Sequence, residues 1–136
     1  ADISGYMLSD TLGSYNFAFP SGTILPPGGY LTVSCSEERS GTGYAPFALS
    51  RQGGETVILT DASALVLDHV DLPALQQNES YALTDSGWQL LGYATPGFEN
   101  DENGREAPAM KTARRAMPLI RALRAMTMCR SSSARR

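Results

Sequence analysis

The chain has 136 residues, of which 42% are hydrophobic and 8% aromatic, a composition that suits one globular domain and excludes a disordered chain. The net charge of −3 conceals a division, because residues 1–104 hold thirteen acids and two bases (net −11) and residues 105–136 hold nine bases and one acid (net +8). Segments so different in charge rarely pack as one unit. We therefore predict a domain over residues 1–103 and a basic tail over residues 104–136.

Short apolar runs of period two follow one another along the predicted domain. In the most informative stretch, Phe17 and Phe19 share one face of an extended segment, and Leu31, Val33 and Cys35 share a face of the next. This alternation is typical of half-buried strands, and Pro-Ser-Gly and Pro-Pro-Gly-Gly sequences supply the turns of a β-meander. The predicted strands are residues 5–9, 15–19, 30–35, 47–49, 55–60, 65–70, 81–83 and 88–91, and residues 23–25 form a short extended piece between the second and the third.

Seven or eight strands at this short, regular spacing predict an all-β fold, in the form of a β-sandwich. Residues 65–70 are apolar on both faces, so we expect this strand to be central in a sheet. No residue before 105 has a helical pattern, whereas the tail has apolar residues at helical spacing interrupted by Pro118, which predicts a helical or disordered tail. We expect four side chains to share one core: Phe19, Leu31, Val57 and Trp88.

Five motifs occur in the order and spacing of a known family. They are DISGYMLSD (2–10), FAFPSGTILPPGGYLTVSCS (17–36), FALSRQGGETVILTD (47–61), LVLDHVDLP (65–73) and ATPGFEN (94–100). Together they resemble the lamin tail domain, specifically its bacterial extracellular versions, over residues 2–100. The resemblance implies an immunoglobulin-like β-sandwich from secreted or surface proteins. The family's opening strands have no counterpart, so we expect the chain to begin inside the domain and to expose a sheet edge on which another strand can add.

Few side chains are of types that support catalysis. His69 is the only histidine, and it shares a strand face with Asp71, whereas Asp68 points to the opposite face. A general base acts on a nucleophile or substrate that it can reach, and no activated nucleophile is marked nearby. Cys35 has no basic neighbour in sequence that would favour its thiolate. We therefore interpret His69 as a structural or solvent-edge residue.

Glycosidase-like chemistry requires a pair of carboxylates at a defined separation. Four aspartates are candidates for such a pair: Asp61, Asp68, Asp71 and Asp85. Small polar residues follow Asp61 and Asp85, which indicates turns, and a buried Asp68 would need a partner such as loop backbone. The oxygen-rich run 99–104 lacks the ligand spacing of an EF-hand, and residues 40–43 lack the lysine of a phosphate loop. We predict no catalytic, cofactor-binding or metal-binding residue.

Cysteine and tyrosine usage leaves alternatives open. Cys35 lies on the apolar face of its strand, which indicates a buried free thiol, and pairing with Cys129 is the alternative. The tyrosines are numerous enough for a ligand-binding face, but they are also ordinary strand residues: Tyr6, Tyr15, Tyr30, Tyr44, Tyr81 and Tyr93.

These observations predict a non-catalytic binding, adhesion or spacer module of a larger bacterial secreted or surface protein, located outside the cell or on its surface. Its expected partners are a protein or a cell-surface polymer, with self-association through an exposed sheet edge. An alternative is an accessory domain that positions substrate for a CotH-type kinase, nuclease or phosphodiesterase domain. A second alternative, a nucleic-acid-binding module, depends on the tail alone, since the acidic domain would repel phosphates. The basic tail also suits contact with an anionic membrane surface.

Overall fold

The computed structural model describes residues 1–38 and 43–106. Within these ranges the chain forms strands and one short helix, so the all-β prediction is confirmed. The elements are β1 (Met7–Ser9), β2 (Phe17–Ala18), β3 (Ser34–Cys35), β4 (Tyr44–Ala45), β5 (Glu55–Thr60), β6 (Val66–Leu72), β7 (Ser80–Thr84), β8 (Gly87–Leu91) and α1 (Glu102–Glu106). The predictions for the basic tail beyond residue 106, for Cys129 and for most of residues 40–43 lie outside the described residues.

The largest sheet has four antiparallel strands in the order β2-β1-β5-β6. β5 lies inside it, because β1 pairs on one side with Leu8 opposite Leu59, and β6 pairs on the other with Val70 opposite Val57. β7 and β8 form an antiparallel hairpin, and β3 and β4 form a parallel pair. The turns predicted for a β-meander between residues 17 and 35 do not join paired strands, because β2 pairs with β1 and β3 runs parallel to β4.

β6 is an edge strand, which corrects the prediction that residues 65–70 are central. Leu65, Val66 and Leu67 are 64%, 42% and 37% exposed, whereas β5 buries all of its last four residues. The run 65–70 is apolar on both faces, whereas β5 carries Thr56 and Thr60 on one face, so the local pattern favoured the wrong strand as central.

Other predicted strands are shorter in the structure or are absent as strands. β1 begins at Met7 because Gly5, with φ of 74°, belongs to a turn. The predicted extended piece 23–25 is reduced to one bridge between Ile24 and Asp2, and the predicted strand 30–35 keeps only its last two residues. Phe47 is buried without belonging to a strand, so the prediction of a strand over residues 47–49 is wrong.

One core joins the four-stranded sheet to the segments around it. Its buried members are Ile3, Leu8, Phe17, Phe19, Val33, Ala45, Phe47, Val57, Leu59, Val70 and Leu72. Leu31 and Trp88 are partly buried against this cluster, so the prediction that they share a core with Phe19 and Val57 is confirmed. Burying each large apolar side chain contributes roughly 1.5–3 kcal/mol to folding, which makes this cluster the main source of stability.

Side-chain hydrogen bonds hold the segment after β8 against β7. The Asn100 side-chain amide donates to the carbonyl oxygen of Leu83 at 3.1 Å, and its Oδ1 accepts from the Thr95 hydroxyl at 2.6 Å. The Ser80 hydroxyl donates to the carbonyl oxygen of Tyr93 at 2.5 Å. These bonds give buried polar groups the partners that they require away from water.

α1 corrects the prediction that no helix occurs before residue 105, since it begins at Glu102. Asp101 caps this helix, because its Oδ1 accepts from the backbone N–H of Gly104 at 2.7 Å. A five-residue helix is too short to show periodicity, so an aspartate at the cap is its only local signal. Gly104 is required, because a Cβ there would overlap the carbonyl oxygen of Glu99. The predicted boundary between residues 103 and 104 falls inside α1.

Candidate functional site

His69 lies on the exposed face of β6. It shares that face with Asp71, because their partners on β5 are Ile58 and Thr56, which also lie two residues apart. The Thr56 hydroxyl donates to Asp71 Oδ1 at 2.6 Å, and the backbone N–H of His69 donates to Asp68 Oδ1 at 2.8 Å. Both neighbouring carboxylates are thus held by other groups, and neither bonds to the imidazole.

The remaining acidic candidates have structural roles. Asp61 Oδ1 accepts from the backbone N–H groups of Ser63 and Leu65 at 2.8 and 2.9 Å, so its prediction as a turn residue is confirmed. Asp85 lies in the turn between β7 and β8. Asp68 is half-buried and bonds to backbone, as predicted, although the backbone belongs to its own strand rather than to a loop.

Cys35 is a free thiol that packs against the core. Burial, and to a smaller extent the negative charge of Asp10, raise the pKa of this thiol from the ordinary 9.0 to about 11. Because the thiolate is the nucleophilic form, Cys35 is a poor nucleophile near neutral pH.

The acidic run before and within α1 is engaged in local contacts. Asp101 accepts hydrogen bonds from Gly104 N at 2.7 Å and from Asn103 Nδ2 at 3.0 Å, and Glu102 pairs with Arg105 at 3.4 Å. In residues 1–38 and 43–106, no group of three or more histidine, cysteine or acidic side chains is arranged to hold a metal ion.

Aromatic side chains are divided between core and surface. Trp88 stacks on Tyr81, with ring centroids 5.2 Å apart and 23° between the planes, and both rings are half-buried against the core. Tyr6 also packs against the core, whereas Tyr15 is exposed. The stacked pair therefore stabilises the β7–β8 hairpin on the core and has the core role predicted for Trp88.

Exposed apolar side chains mark one part of the surface. Four of them are separated along the chain, as is normal for a soluble fold: Leu12, Tyr15, Ile24 and Leu90. Leu65, Val66 and Leu67 are consecutive and lie where β6 begins. We call these three residues, together with the outer side of β6, the β6 edge. The sequence pattern missed this surface, although acidic residues within the apolar run, Asp68 and Asp71, are typical of an edge strand.

The β6 edge carries backbone groups that no strand of the described residues pairs with. Successive backbone N–H groups of a strand point to alternate sides. His69 N–H lies on the outer side, because it bonds to the carboxylate of Asp68 rather than to β5. Asp71 N–H, two residues later, lies on the same side. Asp68 therefore covers one donor of an otherwise open edge, which is a form of edge protection.

Comparison of the chain with protein-family models, with curated proteins and with solved structures finds no match. The resemblance to the lamin tail domain therefore stays a prediction. Over the described part of the chain, no helix has the length and apolar character needed to cross a membrane.

Proposed function

We propose that this chain is a non-catalytic binding module that contacts its partner through the β6 edge. The observation that carries this proposal is the exposure of Leu65, Val66 and Leu67 beside an open strand edge. An extended segment of a partner can add to such an edge through backbone hydrogen bonds, while apolar side chains supply contact area. This arrangement favours a protein partner over a polymer that has no peptide backbone.

The roles of the reactive side chains support a module without catalysis. Asp71 is bonded to the Thr56 hydroxyl, and Asp68 is bonded to backbone. The raised pKa of the Cys35 thiol keeps it protonated. The environments of Asp68, Asp71 and Cys35 therefore suit structure better than chemistry.

The proposed module is an immunoglobulin-like β-sandwich of the lamin tail type. Support comes from the order of the five motifs and from the core, in which Val57 and Leu59 of the four-stranded sheet share a cluster with Tyr81 and Trp88 of the hairpin. Two sheets that bury side chains against each other form the core of such a sandwich. The resemblance alone supports its place in a bacterial secreted or cell-surface protein.

Panning a phage-displayed library of random peptides against the immobilised chain tests the binding surface. We expect enriched peptides to bind the parent chain and to lose about tenfold or more in affinity for the double variant Leu65→Ser/Leu67→Ser. Leu12→Ser is the matched control, because Leu12 is even more exposed, at 74%, but lies outside the β6 edge. Peptides that bind all three proteins equally, or a library that yields no binders, would contradict the proposal.

A substrate screen tests the absence of catalysis. We expect no turnover of ester, phosphodiester, glycoside or peptide substrates above the rate in buffer. Turnover by the parent chain that disappears in His69→Ala or Asp68→Asn would show that the side chains on β6 are catalytic and would overturn the proposal.

A further inference from the structure

The outer side of β6 is self-complementary. His69 and Asp71 are exposed on one face, two residues apart, and their backbone N–H groups point away from β5. Val70 lies between them and faces the core opposite Val57. We propose that β6 pairs antiparallel with β6 of a second copy of this chain, about a two-fold axis at Val70. The inference rests on the proposed function and deepens it by naming the partner.

A two-fold axis can pass through different residues of β6, and each position gives a different register of the two strands. The charged and polar side chains favour the register with the axis at Val70. An axis at Asp68 would place two carboxylates opposite each other, and an axis at His69 would place two imidazoles opposite each other. The axis at Val70 places His69 opposite Asp71 of the second copy, and the same pair recurs by symmetry. An imidazole N–H that faces a carboxylate can donate a hydrogen bond across an antiparallel pair, whereas two facing carboxylates repel each other. Asp71 bonds to Thr56 through Oδ1, which leaves Oδ2 for the imidazole.

The same register brings the exposed Leu67 to the dimer interface. Leu67 is the residue at which β6 bulges against β5, and the register places it beside Pro73 of the second copy. Pro73 has no N–H group, so this position of the outer edge has no donor that needs an acceptor. The two copies of the four-stranded sheet would then form one continuous sheet.

Asp68 opposes this association. His69 N–H already donates to the Asp68 carboxylate at 2.8 Å, and this bond must open before a carbonyl group of the second copy can accept from the same N–H. The dimer is therefore in competition with a bond inside one chain. Removal of the carboxylate in Asp68→Ala frees the donor, and we expect the dissociation constant of the dimer to fall by about tenfold.

Sedimentation velocity of the complete 136-residue chain, from about micromolar to about millimolar concentration, tests the proposal. We expect a concentration-dependent dimer that His69→Pro abolishes. Proline there removes an outward N–H and leaves the ladder to β5 intact. Val70→Pro is the matched control, because it removes an inward N–H and should unfold the protein instead. A parent chain that is monomeric throughout, or a dimer that His69→Pro leaves unchanged, would overturn the proposal.

A charge exchange tests the register even if the proline variant does not fold. His69→Asp places like charges opposite each other and should raise the dissociation constant by about tenfold. The double variant His69→Asp/Asp71→Lys restores opposite charges and should restore the dimer. If the double variant dimerises as weakly as His69→Asp, the proposed register is wrong. Peptide binding at the β6 edge by a chain that stays monomeric would refute self-pairing alone, whereas a dimer without peptide binding would refute only the wider binding role.

Discussion

The side-chain amide of Asn100 donates a hydrogen bond to the carbonyl oxygen of Leu83 at 3.1 Å, which joins the segment after β8 to β7. Asn100 Oδ1 accepts at the same time from the hydroxyl of Thr95, which is 2% exposed. One asparagine thus satisfies a strand carbonyl group and a buried hydroxyl group. Such networks fix the position of a segment, because loss of one member removes several hydrogen bonds at once.

Asn100→Ala should lower the free energy of unfolding by about 1–3 kcal/mol, since it removes the hydrogen bond to the Leu83 carbonyl group and the one from the Thr95 hydroxyl group. Urea denaturation followed by the fluorescence of Trp88, the single tryptophan, measures the change. Asn103→Ala is the control, because Asn103 is exposed and its side chain donates to the Asp101 carboxylate, and it should change stability by less than about 0.5 kcal/mol. Equal midpoints for the two variants would show that the Asn100 network does not stabilise the fold.

Two neighbouring glycines differ in the space around them. Gly53 and Gly54 both have positive φ, 74° and 77°, so alanine at either position costs about 1–2 kcal/mol in backbone strain. A Cβ on Gly53 would also lie 2.5 Å from backbone atoms of Pro73 and Ala74, whereas nothing lies within 4 Å at Gly54. We expect Gly53→Ala to destabilise the protein by roughly 1–3 kcal/mol more than Gly54→Ala. Thermal melts in which both variants lose the same stability would contradict the close approach of these two turns.

Leu59 and Leu65 occur in similar apolar runs but have opposite environments. Leu59 is 2% exposed in β5, and Leu65 is 64% exposed beside β6. Leu59→Ala should therefore cost about 2–5 kcal/mol, and Leu65→Ala less than about 0.5 kcal/mol. Chemical denaturation of both variants measures the difference. A large loss for Leu65→Ala would place Leu65 in a core and would contradict the exposure of the β6 edge.

This pair of leucines also shows where sequence reasoning succeeds and where it ends. Local patterns predicted β5 with both of its boundaries correct, the turn at Asp61 and the burial of Phe17 and Phe19, because each depends on residues close in sequence. The position of β6 at the edge depends on pairing between β1 and β5, which are separated by about half of the domain. No local pattern encodes that choice of neighbour.

The candidate site was missed for the same reason. The lack of a counterpart to the family's opening strands predicted an open sheet edge, but no sequence pattern assigned that edge to β6. The charges of Asp68 and Asp71 inside an apolar run were available as a signal of edge protection. Their meaning became clear only when the structure showed His69 N–H bonded to Asp68 rather than to β5.

The buried thiol predicts a dependence of stability on pH. The pKa of Cys35 is raised from 9.0 to about 11 in the folded protein, so ionisation favours the unfolded chain. The neutral Cys35 thiol contributes to the free energy of unfolding in full below pH 9, and this contribution is lost as the pH rises toward 11. In Cys129→Ser protein, alkylation by iodoacetamide should therefore be much slower in the native than in the unfolded state near pH 9. Equal rates would show an accessible thiol of ordinary pKa.

Residue-resolved amide hydrogen exchange tests the open edge of β6 most directly. In dilute protein, where dimers dissociate, the inward N–H groups of Asp68 and Val70 should be protected by pairing with β5, and Asp71 N–H should exchange rapidly. His69 N–H should exchange faster in Asp68→Ala protein, because its acceptor is gone. Equal, strong protection of Val70 and Asp71 in dilute protein would reveal another strand on the outer side and would contradict the account.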